Sequence, residues 1–202
     1  MSNSNKRERL IDSASHLFHR FGIANTSLAD IAKHADIPIG NVYYYFKTKE
    51  ELALAALQKR QQLHREIRQR LDEGFDDPRQ RLIEVLRFHD AMKEDYTRYG
   101  CPLGKLIIES DAQQDNVAKT SAETLMELAD WAARQFALLG HEEQARMHAV
   151  SLMAGLQGGT LMAKALQDPA VYSTEIERLA QWVANMPNKR IHLGKVAMRQ
   201  TA

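Results

Sequence analysis

Four sets of side chains in this 202-residue sequence have the types and spacing to do chemistry. The first is the run from Pro38 to Lys49, where Asn41, Tyr43, Tyr44, Tyr45 and Lys49 supply an amide, three phenols and an ammonium. Such donors bind phosphate oxygens and base edges, so the run suits a nucleic-acid surface. The second is Cys101, in Tyr99-Gly100-Cys101-Pro102-Leu103-Gly104. With Pro102 at a first helical position, the thiol faces exposed N–H groups and a helix dipole that favour thiolate and its reaction with electrophiles or oxidants. Packing as a small hydrophobe is the other reading of the same residue. The third set is His16 and His19, three apart on a helix. That spacing can bring two imidazoles to one metal, but no cysteine is near and no carboxylate shares their face. They are read as surface side chains, and no metal is assigned. The fourth is Cys101 with His89 and Asp111 as nucleophile, base and orienter. Single residues scattered over helices form no enzyme elbow, so the chain is read as a non-enzyme without a cofactor.

The elements that must position the Pro38–Lys49 run are short helices. Ser27 with Asp30 makes a Ser-x-x-acid start, and Leu28, Ile31, Ala32 and Ala35 follow at helical spacing. Asp36-Ile37-Pro38 breaks that helix, because Pro38 disfavours helical geometry at Ile37 yet suits the start of the next one. The second helix is predicted over roughly Ile39 to Tyr45, with Val42 and Phe46 packing inward and Asn41, Tyr44 and Tyr45 on other faces. Gly40 has no side chain to hold its backbone away from a ligand surface. Thr48 and Glu51 form a further capping box, which puts Lys49 in the first turn of a third helix. Two short helices joined by a tight turn are the layout of a helix-turn-helix DNA reader.

Gly22, Thr26-Ser27, Ile31-Ala32, Ala35, Gly40, Val42-Tyr43-Tyr44-Tyr45-Phe46, Lys49 and Leu52 together resemble the signature of the TetR family of bacterial one-component repressors. The resemblance covers roughly the first quarter of the chain. It implies that Ile39 to Tyr45 is the recognition helix in the major groove, that Tyr44 and Lys49 bind phosphates, and that the helix start at Ser27 faces the DNA backbone. The DNA-binding candidates are therefore Thr26, Ser27, Pro38, Ile39, Gly40, Asn41, Tyr43, Tyr44, Tyr45 and Lys49. Tyr45 stands where the family often carries His, and either type can donate to a phosphate. Pro38-Ile39 stands where the family commonly has Ser and a small or basic residue, which leaves the operator sequence open. The Gly100-Cys101 element is similar to that of a subgroup containing electrophile-sensing repressors.

Composition agrees with a folded chain kept inside the cell. Hydrophobic residues make up 44%, enough for a sizeable core, and a single cysteine allows no intrachain disulfide. No apolar run approaches a membrane span and the first ten residues have no signal-peptide core, so a cytoplasmic location without a membrane partner is expected. Net charge is only +1, but its distribution is uneven. Residues 1–65 hold 10 Lys and Arg against 6 Asp and Glu, residues 66–185 hold 13 against 20, and residues 186–202 hold 4 against none. A basic head on an acidic body suits a protein that presents one end to DNA, and chance variation of solvated charges is the bland alternative.

Helices are predicted nearly everywhere and no strand. Lys6 to Phe21 carries Leu10, Ile11, Ala14, Leu17, Phe18 and Phe21 on one stripe and stops at Gly22. A long helix runs from Thr48 to Gly74, another starts at Asp77-Pro78, a short one starts at Gly100-Cys101-Pro102, and one spans Asn116 to Leu139 before Gly140. The next covers Glu142 to Leu166 and includes Gly155, Gly158 and Gly159, a choice that weakens a helix unless another backbone comes close. Asp168-Pro169 is expected to end it, and Thr174 with Glu177 to cap a last helix. The resemblance implies that this last pair meets its symmetry mate in a four-helix bundle. Leu152, Gly155, Leu156, Gly159, Ala163, Leu179 and Val183 are its interface candidates, with glycines easing packing inside one subunit or lining a cavity as the alternative. Ligand or sensor candidates are Cys101, Tyr96, Tyr99, Leu106, Trp131, Met153 and Gln157, of which Trp131 and Met153 read first as core. Residues 188–202 are basic, without periodicity, and expected to be a solvated end.

The expectation is thus an all-α protein with an N-terminal three-helix helix-turn-helix domain (1–47), a larger helical regulatory and dimerisation domain (48–187) and a basic tail (188–202). The expected function is a homodimeric repressor of a pseudo-palindromic double-stranded operator, responsive to a small-molecule effector or an electrophile. An enzyme using the C-terminal pocket, or a constitutive architectural DNA protein, are the alternatives.

Overall fold

The computed structural model describes residues 3–109 and 116–188, and every regular element among them is helical. Ten α-helices follow in order: α1 (Asn3–Phe21), α2 (Leu28–His34), α3 (Ile39–Tyr45), α4 (Lys49–Gly74), α5 (Pro78–Asp90), α6 (Lys93–Tyr99), α7 (Pro102–Glu109), α8 (Asn116–Leu138), α9 (Ala145–Leu166) and α10 (Pro169–Ala184). A single 3-10 turn, Glu142–Gln144, precedes α9. The chain falls into two compact units, Met1–Arg65 with Tyr99–Leu125, and Glu66–Arg98 with Met126–Ala202. The basic tail lies outside the described residues from position 189 onward.

The first unit is built on the stripe foreseen for α1. Leu10, Ile11, Ala14, Leu17 and Phe18 are buried, and Ile31, Ala32, Val42, Phe46, Leu52 and Leu57 complete the core around them. Phe21 departs from that stripe: it is half exposed, with the Arg20 guanidinium 5.3 Å from its ring centre. Gly22 ends the helix in the left-handed region, φ +82°, and its N–H returns to Phe18 O at 2.9 Å. Lys59 ties α4 to α1 by donating to Glu8 (3.0 Å) and Asp12 (2.5 Å). The same core takes in Leu103 and Leu106 of α7 and Val117 of α8, residues far along the chain.

In the second unit α10 packs on both α9 and α5. Asp77 caps α5 through Arg79 N (2.9 Å), and Asp168 caps α10 through Ala170 N (2.9 Å), each followed by proline at the first helical position. Asp168-Pro169 therefore starts the last helix. Thr174 is no cap: its hydroxyl donates to Ala170 O within α10 (2.9 Å). What ends α9 is Gln167, held left-handed at φ +53°. Helix α6 had no counterpart in the sequence reading, being polar and only seven residues long.

Candidate nucleic-acid interface

The reader begins at the α2 cap. Ser27 Oγ accepts the Asp30 N–H (3.1 Å), while the Asp30 carboxylate accepts from Ser27 N (2.9 Å) and from the Ser27 hydroxyl (2.6 Å). The hydroxyl bond, then the backbone bond, hold the Asp30 carboxyl below the usual carboxylate range. Both ends of the box are thus occupied by each other. Thr26 corrects the sequence reading: it is buried at 3% exposure, and its hydroxyl donates to Gly22 O at 2.8 Å, so it anchors the α1–α2 loop.

Helix α2 ends in a tight turn. Ala35 N bonds Ile31 O (2.9 Å), Asp36 N bonds Lys33 O (3.1 Å) and Ile37 N bonds Ala32 O (2.9 Å). Asp36 sits at φ +51°, a conformation that aspartate tolerates better than most side chains, and Ile37 drops into the core. Pro38 precedes α3, which buries Val42 and presents Ile39, Gly40, Tyr43 and Tyr44 outward. Tyr44 is 69% exposed and meets Tyr45 edge-on at 5.0 Å, while Asn41 and Tyr45 are half-buried. A Cβ placed on Gly40 would meet nothing within 4 Å.

The lysines do more than expected. Lys49 Nζ donates to Ile23 O at 2.6 Å, which pins the α1–α2 loop and leaves two of its three donors for another acceptor. Lys47, which the sequence reading passed over, donates through Nζ to Tyr43 O (2.9 Å) and through its backbone N–H to Glu51 (2.7 Å). Glu51 therefore spends its carboxylate on Lys47, while Thr48 Oγ1 accepts the Glu51 N–H (3.1 Å), so the foreseen box is made across two residues. Arg9 of α1 donates to Ala35 O and Asp36 O, the latter at 3.3 Å, and Arg7 lies 5.2 Å from the Phe46 ring centre. No local pattern signals Arg9. The Tyr43–Lys47 spacing of four is the signal that could have found Lys47.

This geometry coincides with a family signature. The model for the tetR family of bacterial regulatory proteins matches residues 10–56, and that for the C-terminal domain of LmrA/YxaF-like transcriptional regulators matches residues 80–174. The chain belongs to the TetR family of transcriptional regulators. An HTH-type regulator from the lacX 3′ region of Lactococcus lactis subsp. lactis is 27% identical over 183 residues, covering 87% of this chain and 91% of that protein. The regulator LmrA of Bacillus subtilis (strain 168) is 27% identical over 168 residues, covering 81% and 88%. In fold, a TetR-family regulator from Agrobacterium tumefaciens superposes with a TM-score of 0.76 at 19% identity, covering 89% of this chain and 98% of that one.

The ligand candidates of this TetR-family chain divide between the two units. Tyr99, Cys101 and Leu106 belong to the reader's unit. There His19 Nε2 donates to Gly100 O (2.8 Å), Tyr99 meets His19 edge-on at 5.5 Å, and half-buried Cys101 packs on the core. Cys101 Sγ accepts the Gly104 N–H at 3.4 Å, as an N-terminal cap of α7 would. Tyr96, Trp131, Met153 and Gln157 belong to the second unit. Tyr96 lies edge-on to Tyr172 at 5.5 Å, and its hydroxyl is 3.4 Å from His89 Nδ1. Burial lowers the His89 pKa to about 4. Trp131 is core, its indole N–H shared between the two Asp72 carboxylate oxygens at 3.1 Å each, with Gln135 (3.3 Å) and Arg81 (3.7 Å) on the same carboxylate. His89 and Cys101 thus sit in different units, and Asp111 lies outside the described residues. The His16–His19 pair also diverges, His16 stacking on His34 at 5.1 Å while His19 serves Gly100. Among the described residues no group of three or more metal-ligating side chains forms, and no helix is long and apolar enough to cross a membrane.

The interface candidates need correction. Leu152, Leu156, Gly159, Ala163, Leu179 and Val183 are buried within their own subunit. A Cβ on Gly155 would come 2.8 Å from Glu175 Oε1 and 2.9 Å from Leu179 Cδ2, and one on Gly159 would come 3.1 to 3.2 Å from Glu175 and Tyr172. These two glycines let α10 approach α9, as the alternative reading held. Among the residues that α9 turns outward are Met147, Val150, Ala154, Gly158, Leu161 and Met162, with Arg146, Ser151 and Lys164 also exposed.

Proposed function

We propose that the chain is a homodimeric transcriptional repressor that reads a pseudo-palindromic DNA operator with two copies of α3 and releases it in response to an effector. The reading is carried by the outward face of α3, where Ile39, Tyr43 and Tyr44 stand in solvent on a helix whose own turn and core contacts are complete. Large apolar and phenolic side chains left this exposed on a seven-residue helix suit base edges, thymine methyls and phosphates. Asn41 is the side chain best suited to paired hydrogen bonds with adenine, and Tyr44, Tyr45 and the remaining Lys49 donors would hold phosphates. Pro38, Gly40 and Ser27 would set the backbone of α2 and α3 against the duplex. Residues 1–47 would carry the reading, 48–187 effector response and dimerisation, and 188–202 a basic tail, in a cytoplasmic protein that is not an enzyme.

Two copies are needed for a two-half-site operator, and the outward stripe of α9, Met147, Val150, Ala154, Gly158 and Leu161, recurs at helical spacing to form an apolar seam for a second copy. The effector would act on the second unit through Tyr96, Met153 and Gln157, or through Cys101. The thiol reading is favoured by Sγ sitting half-buried on the reader's own core, where an adduct displaces packing directly. The test is to retain duplexes from a fragmented genome and a random pool on the purified full chain. An inverted repeat whose halves lie about one helical turn apart, roughly 34–36 Å, is the expected product. Retention without sequence preference, or of a site lacking the repeat, would overturn the reading.

A further inference from the structure

We propose that Arg9 is a positioning residue for DNA reading: from α1 it clamps the turn that sets the direction of α3. This rests on the reading that α3 enters a DNA groove. The turn's backbone bonds use the carbonyls of Ile31, Ala32 and Lys33, and Arg9 Nη2 donates to two further along it, Ala35 O and Asp36 O. The same guanidinium nitrogen lies 3.6 Å from the Asp36 carboxylate. Asp36 is the residue at φ +51°, where the chain reverses between α2 and α3, and its side chain is fully exposed, so nothing in its own packing fixes that conformation. Arg9, by contrast, follows directly before the buried Leu10 on a helix anchored in the core. One planar, always charged donor group thus connects a rigid helix to the strained residue of a two-residue reversal.

Chemistry argues for a clamp over a phosphate contact. One guanidinium nitrogen, Nη2, serves two adjacent carbonyls and lies beside the Asp36 carboxylate, so its donors are already spent on the turn. Because α3 is only seven residues long and follows the turn after a single proline, a small rotation at Asp36 swings Ile39, Asn41 and Tyr43 together. Arg9 therefore acts on sequence discrimination through backbone direction, with Ile37 and Val42, both buried, as the pivot.

The experiment uses the full chain as wild type, Arg9→Ala and Arg9→Lys. Amide exchange is read on a peptide spanning residues 35–46 and on a control peptide from α4. Affinity and its salt dependence are read on the duplex that wild type retains most strongly from a random pool, and on an unrelated duplex. Arg9→Ala should speed exchange in 35–46 while leaving α4 unchanged. It should also weaken the selected duplex by about tenfold, narrow its margin over the unrelated one, and leave the salt slope intact. Arg9→Lys, which keeps an ammonium able to donate to the same carbonyls, should recover part of both losses. Unchanged exchange overturns the clamp. A salt slope reduced by about one contact in Arg9→Ala makes Arg9 a phosphate contact and overturns the positioning role. If wild type retains no preferred sequence, the reading of α3 falls and the positioning role with it, while the exchange comparison still decides whether the clamp exists.

Discussion

Replacing Gly40 by alanine separates what α3 does for the fold from what it does for DNA. The added Cβ meets nothing within 4 Å in the free protein, and Gly40 is absent from the positions of positive φ, so alanine fits without strain. Alanine in a helix is favoured over glycine by about 0.5–1 kcal/mol, partly because it restricts the unfolded chain. For a chain of this size that corresponds to a rise in Tm of about 2–4 °C per kcal/mol. On the duplex the sign reverses. If the backbone at Gly40 lies against a base or sugar, a methyl group must push the start of α3 away, loosening the contacts made by Ile39, Asn41 and Tyr43. A loss of one good base contact is worth about 1–3 kcal/mol, or roughly five- to 150-fold in affinity. Thermal unfolding and titration of the selected duplex, on the same preparation, give both numbers. A Gly40→Ala variant that is more stable and binds DNA as tightly as wild type would refute the close approach. One that is less stable would refute the open space around the Cβ.

The glycines of α9 should part company. Gly155→Ala forces Glu175 and Leu179 aside and should destabilise by about 1–3 kcal/mol in denaturant titration, whereas Gly158→Ala, whose Cβ meets nothing within 4 Å in its own subunit, should spare the α9–α10 packing. Leu161→Glu on the outward face of α9, at 66% exposure, should shift sedimentation toward monomer with helical content retained, and lower Tm only by what association contributes. His89 carries a pH signature. Its folded pKa of about 4 lies below the unfolded 6.5, so the unfolded chain takes up the proton first, and the stability present above pH 6.5 is lost as pH falls toward 4. His89→Leu should flatten that part of the stability profile, a difference of at most about 3 kcal/mol.

The reader was legible because its signals are local. Ser27-x-x-Asp30, the proline after the turn and the spacing of Val42 and Phe46 are each completed within a few residues, and the structure makes those contacts. Asp168-Pro169 was read with the wrong sign, since the same dipeptide that stops one helix caps the next, and only Gln167 in the left-handed region tells them apart. Helix α6 escaped because Lys93–Tyr99 has no apolar stripe to betray it. Thr26 and the α9 glycines were misjudged for a different reason. Residue type indicates that a hydroxyl will bond or that two backbones will approach, but not that Thr26 turns back to Gly22 O four residues earlier, and the approach of α10 is a tertiary fact. Arg9 belongs with these, its acceptors lying 26 and 27 residues away.

The inclusion of Tyr99–Leu125 in the reader's unit bears on how the protein is made. An amino-terminal reader would ordinarily be expected to finish folding while the rest of the chain is still on the ribosome. Here Leu103, Leu106 and Val117 fill the core that α1 and α4 leave open, and the His19–Gly100 and Glu50–Asn116 bonds join residues 81 and 66 positions apart. The nascent reader must wait, with part of its apolar surface uncovered, until translation has passed α7 and entered α8. At about 5–20 residues per second that delay is of the order of seconds, long enough for a chaperone to engage it. On the reading of α3 proposed above, a prematurely terminated product that carries α2 and α3 but lacks α7 would have an incomplete reader core and would compete weakly for the operator.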